Sequence, residues 1–187
     1  MKWHVLALAV AVIALAGCAG LGGLGGEPEV LWSVNCGAEQ DYVDQAGKVW
    51  LADRELAEGA EWGAVGGLTV ERWGLDVTGT EAPDVYLFER YSMTAYEFSV
   101  PNETYSLKLH FAETYEGIAY EDERVFSVLV NGKEVLTDFD PFAEAGGFAK
   151  PVVADVAPFE VTGGKITIEF EPNIQSPEIN GIEVIMH

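Results

Sequence analysis

Residues 105 to 113 read Tyr105-Ser106-Leu107-Lys108-Leu109-His110-Phe111-Ala112-Glu113, and apolar side chains fall on every second position up to Phe111. A period of two places one face of an extended strand in a core and the other toward solvent. His110 then belongs to the polar face. The strand delivers a loop, Thr114-Tyr115-Glu116-Gly117, that carries an aromatic residue. A rigid strand feeding such a loop is a common way to build a binding site.

The same short-strand signature recurs along the chain. Apolar or alternating runs occur at 30–35, 85–88, 95–100, 124–130, 133–137, 152–156, 159–161, 165–170 and 182–186. Turn signals separate them: Pro101-Asn102-Glu103, Thr162-Gly163-Gly164, and Asn131-Gly132, whose two residues tolerate the positive φ angles of a type I′ hairpin. No long segment has a 3.6-residue period; Leu51 to Glu58 is expected to form a helical turn or two at most. Many short strands with Gly- and Asn-rich turns predict an all-β sandwich. Trp32 and Trp50 lie in apolar strand patterns and are expected in its core.

The N-terminus reads differently. Lys2 precedes an apolar run from Val5 to Ala16, shorter than the roughly 20 residues needed to span a bilayer. Leu15-Ala16-Gly17-Cys18 resembles a bacterial lipobox, which implies cleavage before Cys18 and a lipid on that cysteine. Residues 1–17 are then expected to be a lipoprotein signal peptide. Residues 18–29, rich in Gly, are a flexible tether, and residues 30–187 are one domain. This implies a cell-envelope location with a membrane anchor through the N-terminal lipid. Residue 19 is Ala and not Asp, which implies the outer membrane in a host with two. Cys36 is the other cysteine, and it is expected to act as a small buried hydrophobe.

Charge excludes one class of partner. The chain has 31 acidic and 10 basic residues, a formal net charge of −21. Phosphate contacts need clustered Lys and Arg, so nucleic acid is not an expected partner. The acidic pairs Asp122/Glu123 and Asp138/Asp140 leave room for a structural Ca²⁺, although no loop has an EF-hand pattern; no other cofactor is expected. Catalysis is not expected either: no His pair has metal-ligand spacing, and neither GxSxG nor SxxK is present. With 31 carboxylates, a proposed glycosidase pair would carry no information.

Several multi-residue motifs are more specific. Val30 to Gly37 opens the domain, and Tyr42, Asp44, Gly47, Trp50 and Asp53 follow. Glu89-Arg90-Tyr91, the strand ending in Phe111-Ala112-Glu113, Arg124-Val125-Phe126, Val128, Val130, Asn131-Gly132, Asp138-Phe139-Asp140 with Gly146, and Ile179-Asn180-Gly181-Ile182-Glu183 come in order. Together they resemble the malectin family over residues 30–187. The resemblance implies a jelly-roll β-sandwich of two antiparallel sheets. It also implies non-catalytic binding of glucose-containing oligosaccharide or polysaccharide by loop aromatics and a carboxylate.

Carried onto this chain, the resemblance puts site aromatics at Trp62, Tyr91 and Tyr115. Glu116 stands where the family has a second aromatic. Gln175 stands, after a one-residue gap, where it has an aspartate. Aromatic rings cover the C–H face of a pyranose, and carboxylates or amides fix its hydroxyls. Trp62 lies among Ala and Gly and is expected in an exposed loop. Tyr91 fits strand packing as well as a site, and Glu116 and Gln175 fit ordinary solvated positions. The replaced aromatic and acid leave a second reading open, an envelope protein-interaction or scaffold domain that has lost sugar binding.

Overall fold

The computed structural model describes residues 27–187; the expected signal peptide, Cys18 and most of the tether lie outside the described residues. Twelve strands form two sheets. They are β1 (Glu29–Asn35), β2 (Tyr42–Val43), β3 (Val49–Ala52), β4 (Trp62–Glu71), β5 (Phe88–Ser99) and β6 (Thr104–Phe111). Then come β7 (Val125–Val130), β8 (Lys133–Phe139), β9 (Val152–Glu160), β10 (Lys165–Ile174), β11 (Glu178–Ile179) and β12 (Gly181–Met186). One sheet has the order β2-β3-β1-β12-β6-β9. The other has the order β11-β5-β10-β7-β8, with β4 along β5. Every pairing between named strands is antiparallel except β1 with β3. This is the all-β sandwich the turn spacing predicts.

The core follows from alternation. Tyr105, Leu107, Leu109 and Phe111 of β6 are buried, as are Ile166, Ile168 and Phe170 of β10. They meet Val34, Phe98, Phe126, Val128, Ile182 and Val184 from both sheets. Cys36 is fully buried among them and Trp50 is buried, while Trp32 is half-buried with its ring 5.6 Å from that of Phe98. Asn131 (φ 50°) and Gly132 (φ 77°) make the positive-φ turn between β7 and β8. Gly37 is required for two reasons: its φ is 91°, and an added Cβ would lie 2.4 Å from the Glu89 carbonyl oxygen; its N–H donates to Asp53 Oδ2 at 2.7 Å.

Four sequence expectations need correction. His110 is buried and does not face solvent. A small second core of Trp50, Val77, Val85, Tyr86 and Ala112 is built beside it. There the Tyr86 hydroxyl bonds His110 Nδ1 at 2.8 Å, and Nε2 meets Glu183 Oε1 at 3.0 Å. Glu183 also pairs with Lys48 at 2.9 Å; although burial opposes ionisation, the His110 and Lys48 contacts hold its pKa down at about 2. Residues 51–58 form no helix; they leave β3 and bridge at Glu55 to Ala64. Residues 85–87 belong to a 3₁₀ turn, Pro83–Leu87, because Pro83 fixes the φ of its first position. The strand then runs unbroken from Phe88 to Ser99, joining the two short pieces expected there.

The last correction concerns Trp62. It opens β4 opposite Phe98, is 3% exposed, and stacks on the Phe98 ring at 5.9 Å and 16°. The Arg54 guanidinium covers its ring at 4.0 Å, and Arg54 Nε donates to the Trp62 carbonyl at 3.1 Å. Small residues around Trp62 suggested a loop; instead they let β4 lie close to its neighbours, since a Cβ on Gly63 would strike the Leu56 backbone at 2.6 Å. Trp62→Ala is therefore expected to lower stability by about 3–5 kcal/mol in a denaturant titration. A change of under about 1 kcal/mol would contradict its place in the core.

Candidate functional site

The site lies where β5 changes partners. Residues 95–99 of β5 pair with β10, while Arg90 and Tyr91 pair with β11. The chain crosses from β10 to β11 through Gln175, Ser176 and Pro177. Gln175 adopts a left-handed φ of 60°, and Ser92 N–H is held by the Pro177 carbonyl at 2.9 Å. This crossing opens a pocket of about 300 Å³ in front of Tyr91. Gln175 and Ser176 line it, as do Val70 near the end of β4, Arg72 just beyond that strand, and Tyr115 from the loop after β6.

Alternation explains the Glu89-Arg90-Tyr91 motif. Glu89 and Tyr91, two apart on β5, both line the pocket. Arg90 serves the opposite face: it pairs with Asp53 at 2.7 Å and Glu55 at 2.6 Å, and Asp53 also accepts from Tyr96 at 3.0 Å. The Arg90 pKa is raised: burial opposes its charge, but the Asp53 contact outweighs burial.

Two ion pairs support the pocket, and Arg72, Glu89 and Arg124 of these pairs line it. Arg72 donates to Glu89 Oε1 at 2.8 Å, and the Thr114 hydroxyl donates to Glu89 Oε2 at 2.6 Å. Arg124 Nε donates to Glu113 Oε2 at 2.6 Å, and its Nη1 donates to the Ser176 carbonyl. Glu113 Oε1 accepts the Tyr115 N–H at 2.9 Å. The Phe-Ala-Glu ending thus fixes the Tyr115 loop through its glutamate. Burial disfavours the Arg124 cation, yet Glu113 outweighs it and raises the pKa. Asn180 ties the neighbouring strands: its Oδ1 accepts from Ala112 N–H at 2.6 Å, and its Nδ2 donates to the Phe88 carbonyl at 2.7 Å.

Tyr115 is 48% exposed, with the Arg72 guanidinium 5.6 Å from its ring centroid. Gly117 permits this pose, since a Cβ there would meet the ring at 2.4 Å. A second groove of about 210 Å³ adjoins the pocket and shares Arg72 and Tyr115 with it. Exposed Glu116 lines this groove, and so does Trp73, which is 82% exposed.

Tyr91, Tyr115 and Gln175 therefore converge on one pocket, and Glu116 lies beside it. Trp62 does not join them: it is seven residues from Tyr91 along the β4–β5 ladder, about 23 Å away. Trp73 is the exposed aromatic that sequence reasoning missed. Its signal was the Trp73-Gly74 pair, a second Trp-Gly step eleven positions after Trp62-Gly63.

The acidic pairs serve local structure. Asp140 caps the short helix Pro141–Ala145 through the N–H groups of Phe142 and Ala143, and its other oxygen accepts from Asp122 N–H. Glu123 Oε2 accepts from Ala119 and Tyr120 N–H. Among the described residues, no group of three or more His, Cys, Asp or Glu side chains is placed to hold a metal ion.

Comparison with known proteins matches the malectin domain model to residues 30–182. The chain belongs to the malectin family. Malectin from Homo sapiens is 30% identical over 152 residues, 78% of this chain and 48% of that protein. Receptor-like protein 4 from Arabidopsis thaliana is 38% identical over 85 residues, 45% of this chain and 13% of that protein. This malectin domain thus spans about half the length of the curated malectins it matches and a smaller share of the receptor. Among solved structures, a β-glucuronidase from Bacteroides uniformis superposes with a TM-score of 0.74 at 22% identity, covering 82% of this chain and 18% of that one. The ANX2 ectodomain from Arabidopsis thaliana gives 0.69 at 22% identity, covering 85% and 50%. At these identities the likeness is one of fold.

Glu178 of β11 lies opposite Tyr91, is fully buried, and neither carboxylate oxygen has a hydrogen-bond partner. Burial first, and then the charges of Glu89 and Glu113, push its pKa well above the usual carboxylate range; Arg124 opposes them. A folded-state pKa above the unfolded value means that stability declines as pH rises through the interval between the two. Glu178→Gln keeps the shape and removes that decline. The variant is expected to melt above the wild type at about pH 7, with the difference vanishing near about pH 4. A variant that melts below the wild type at neutral pH would show that Glu178 works as a buried anion.

Proposed function

We propose that this malectin domain binds carbohydrate without catalysis, in the pocket of Tyr91, Tyr115 and Gln175 and along the adjoining Trp73 groove. The observation that carries this reading is the convergence of Tyr91, Tyr115 and Gln175 at the opening between β10 and β11. Exposed rings offer stacking surfaces for the C–H face of a pyranose, and the Gln175 amide both donates and accepts for its hydroxyls. The buried ion pairs hold the loops in place, so little ordering is left for the bound state. Resemblance to the family supports a glucose-containing oligosaccharide or polysaccharide.

A glycan array probed with the protein tests this directly. Signals on glucose-containing chains are expected. Tyr115→Ala and Trp73→Ala are each expected to lower affinity by about 1 kcal/mol while leaving the melting temperature close to wild type. A silent array, or unchanged affinity in both variants, would refute the reading. A protein partner from the cell envelope that still binds after Tyr91 and Tyr115 are both changed to Ala would move function to another surface.

The proposal places the domain on the cell envelope, held by a lipid on Cys18, on the outer membrane where the host has two. The lipobox-like Leu15-Ala16-Gly17-Cys18 supports it. Cys18→Ala is expected to move the protein from the membrane fraction to the soluble fraction. Equal membrane partition of both forms would contradict lipid anchoring.

A further inference from the structure

The pocket carries an arrangement of charge that a neutral sugar does not require. In both ion pairs the guanidinium is the more exposed partner, although Glu89 also lines the pocket. The Arg72 side chain is 22% exposed and its partner Glu89 2%; Arg124 is 6% exposed and Glu113 0%. Glu178, opposite Tyr91 on β11, is also fully buried. Arg72 is therefore the most exposed member of the two ion pairs. This occurs on a chain with three times as many acidic as basic residues, 31 against 10.

Arg72 has hydrogen-bonding capacity left. Its Nη2 is taken by Glu89, and its Nε reaches Thr114 Oγ1 at a long 3.4 Å. Its Nη1 has no partner among the side-chain hydrogen bonds of the described residues. The same guanidinium stands 5.6 Å from the centroid of the exposed Tyr115 ring. A stacking face and an unfilled cationic donor thus lie within the width of one sugar ring. Across the pocket Gln175 is an amide, and the one acid that lines the pocket, Glu89, already accepts from Arg72 and Thr114. Glu116, the exposed acid nearby, lines the neighbouring groove and not this pocket.

We propose that the pocket selects a pyranose bearing a carboxylate, a hexuronic acid residue, with the ring against Tyr115 and the carboxylate on Arg72. The inference rests on the carbohydrate reading above and deepens it. A glucose-configured uronic acid keeps the ring and its secondary hydroxyls and places an anion at C6. Planar guanidinium donors match a carboxylate, and such charge-assisted bonds are stronger than neutral ones. Repulsion from the acidic surface is screened beyond about 8 Å at physiological ionic strength, whereas contact with Arg72 is not.

Calorimetry of the full chain with methyl glucuronides and methyl glucosides, both anomers of each, tests it. A glucuronide is expected to bind about tenfold more tightly than the matching glucoside at low salt. The gap is expected to hold as salt rises, because salt screens the repulsion from the acidic surface and not the Arg72 contact. Arg72→Gln should bring the ratio of glucuronide to glucoside affinity close to one, whatever its effect on the affinity for either sugar alone. If that variant loses its cooperative melting, Arg72→Lys decides instead, because a point charge cannot reproduce the planar donor and the preference should fall several-fold. A glucoside that binds as well as the glucuronide would overturn the anionic ligand and leave carbohydrate binding standing. So would a preference that survives in a folded Arg72 variant. Binding of neither sugar, alone or on a glycan array, would overturn both.

Discussion

The site depends on Arg124 more than on any aromatic residue. This one guanidinium reaches Glu113 at the end of β6 and the Ser176 carbonyl between β10 and β11, from a position at the head of β7. It therefore joins segments that belong to different sheets. Removing one partner of such a pair strands the other charge in the interior, at a cost of about 3–5 kcal/mol. Glu113 also holds the Tyr115 N–H. The loop that carries the exposed ring is thus fixed by the same carboxylate that neutralises Arg124.

This explains how a chain with a formal net charge of −21 can present an ordered pocket. Glu89 and Glu113 are drawn inward and paired and Glu178 is buried, while Tyr115, Trp73, Gln175 and Glu116 are exposed and Tyr91 is half-buried. The break in the sheet beside β5 supplies the opening, and the left-handed Gln175 makes the chain turn there. Stability and recognition meet at this place: Glu178, which closes the sheet behind Tyr91, is buried without a hydrogen-bond partner.

The fold was legible wherever alternation and turn chemistry agreed. The Asn131-Gly132 hairpin and the inward set Ile166, Ile168 and Phe170 follow from local rules. So does the inward set of β6. His110 was misread because period two assumes that the second face is wet, and here a small core covers it. Residues 85–87 look like a strand by composition, but Pro83 and the register of β5 decide otherwise. The site was legible in part. Tyr91 and Tyr115 sit beside motifs whose glutamates turn out to be their supports. Trp62 and Trp73 share the same Trp-Gly step, and only the length of β4 separates the buried ring from the exposed one. The pairing of Arg72 with Glu89 and of Arg124 with Glu113 spans 17 and 11 residues, and no local pattern encodes it.

The central claim is that ligand recognition occurs at the opening between β10 and β11, over the Arg72–Glu89 and Arg124–Glu113 pairs. A crystal structure of the protein with the saccharide that gives the strongest array signal tests it most directly. The account predicts a sugar ring in contact with Tyr91 or Tyr115 and a hydrogen bond from Gln175, with both ion pairs intact. A saccharide bound in the larger groove between β8 and β9, where Val135, Asp155 and Phe159 lie, with the Tyr91 pocket left empty, would contradict it.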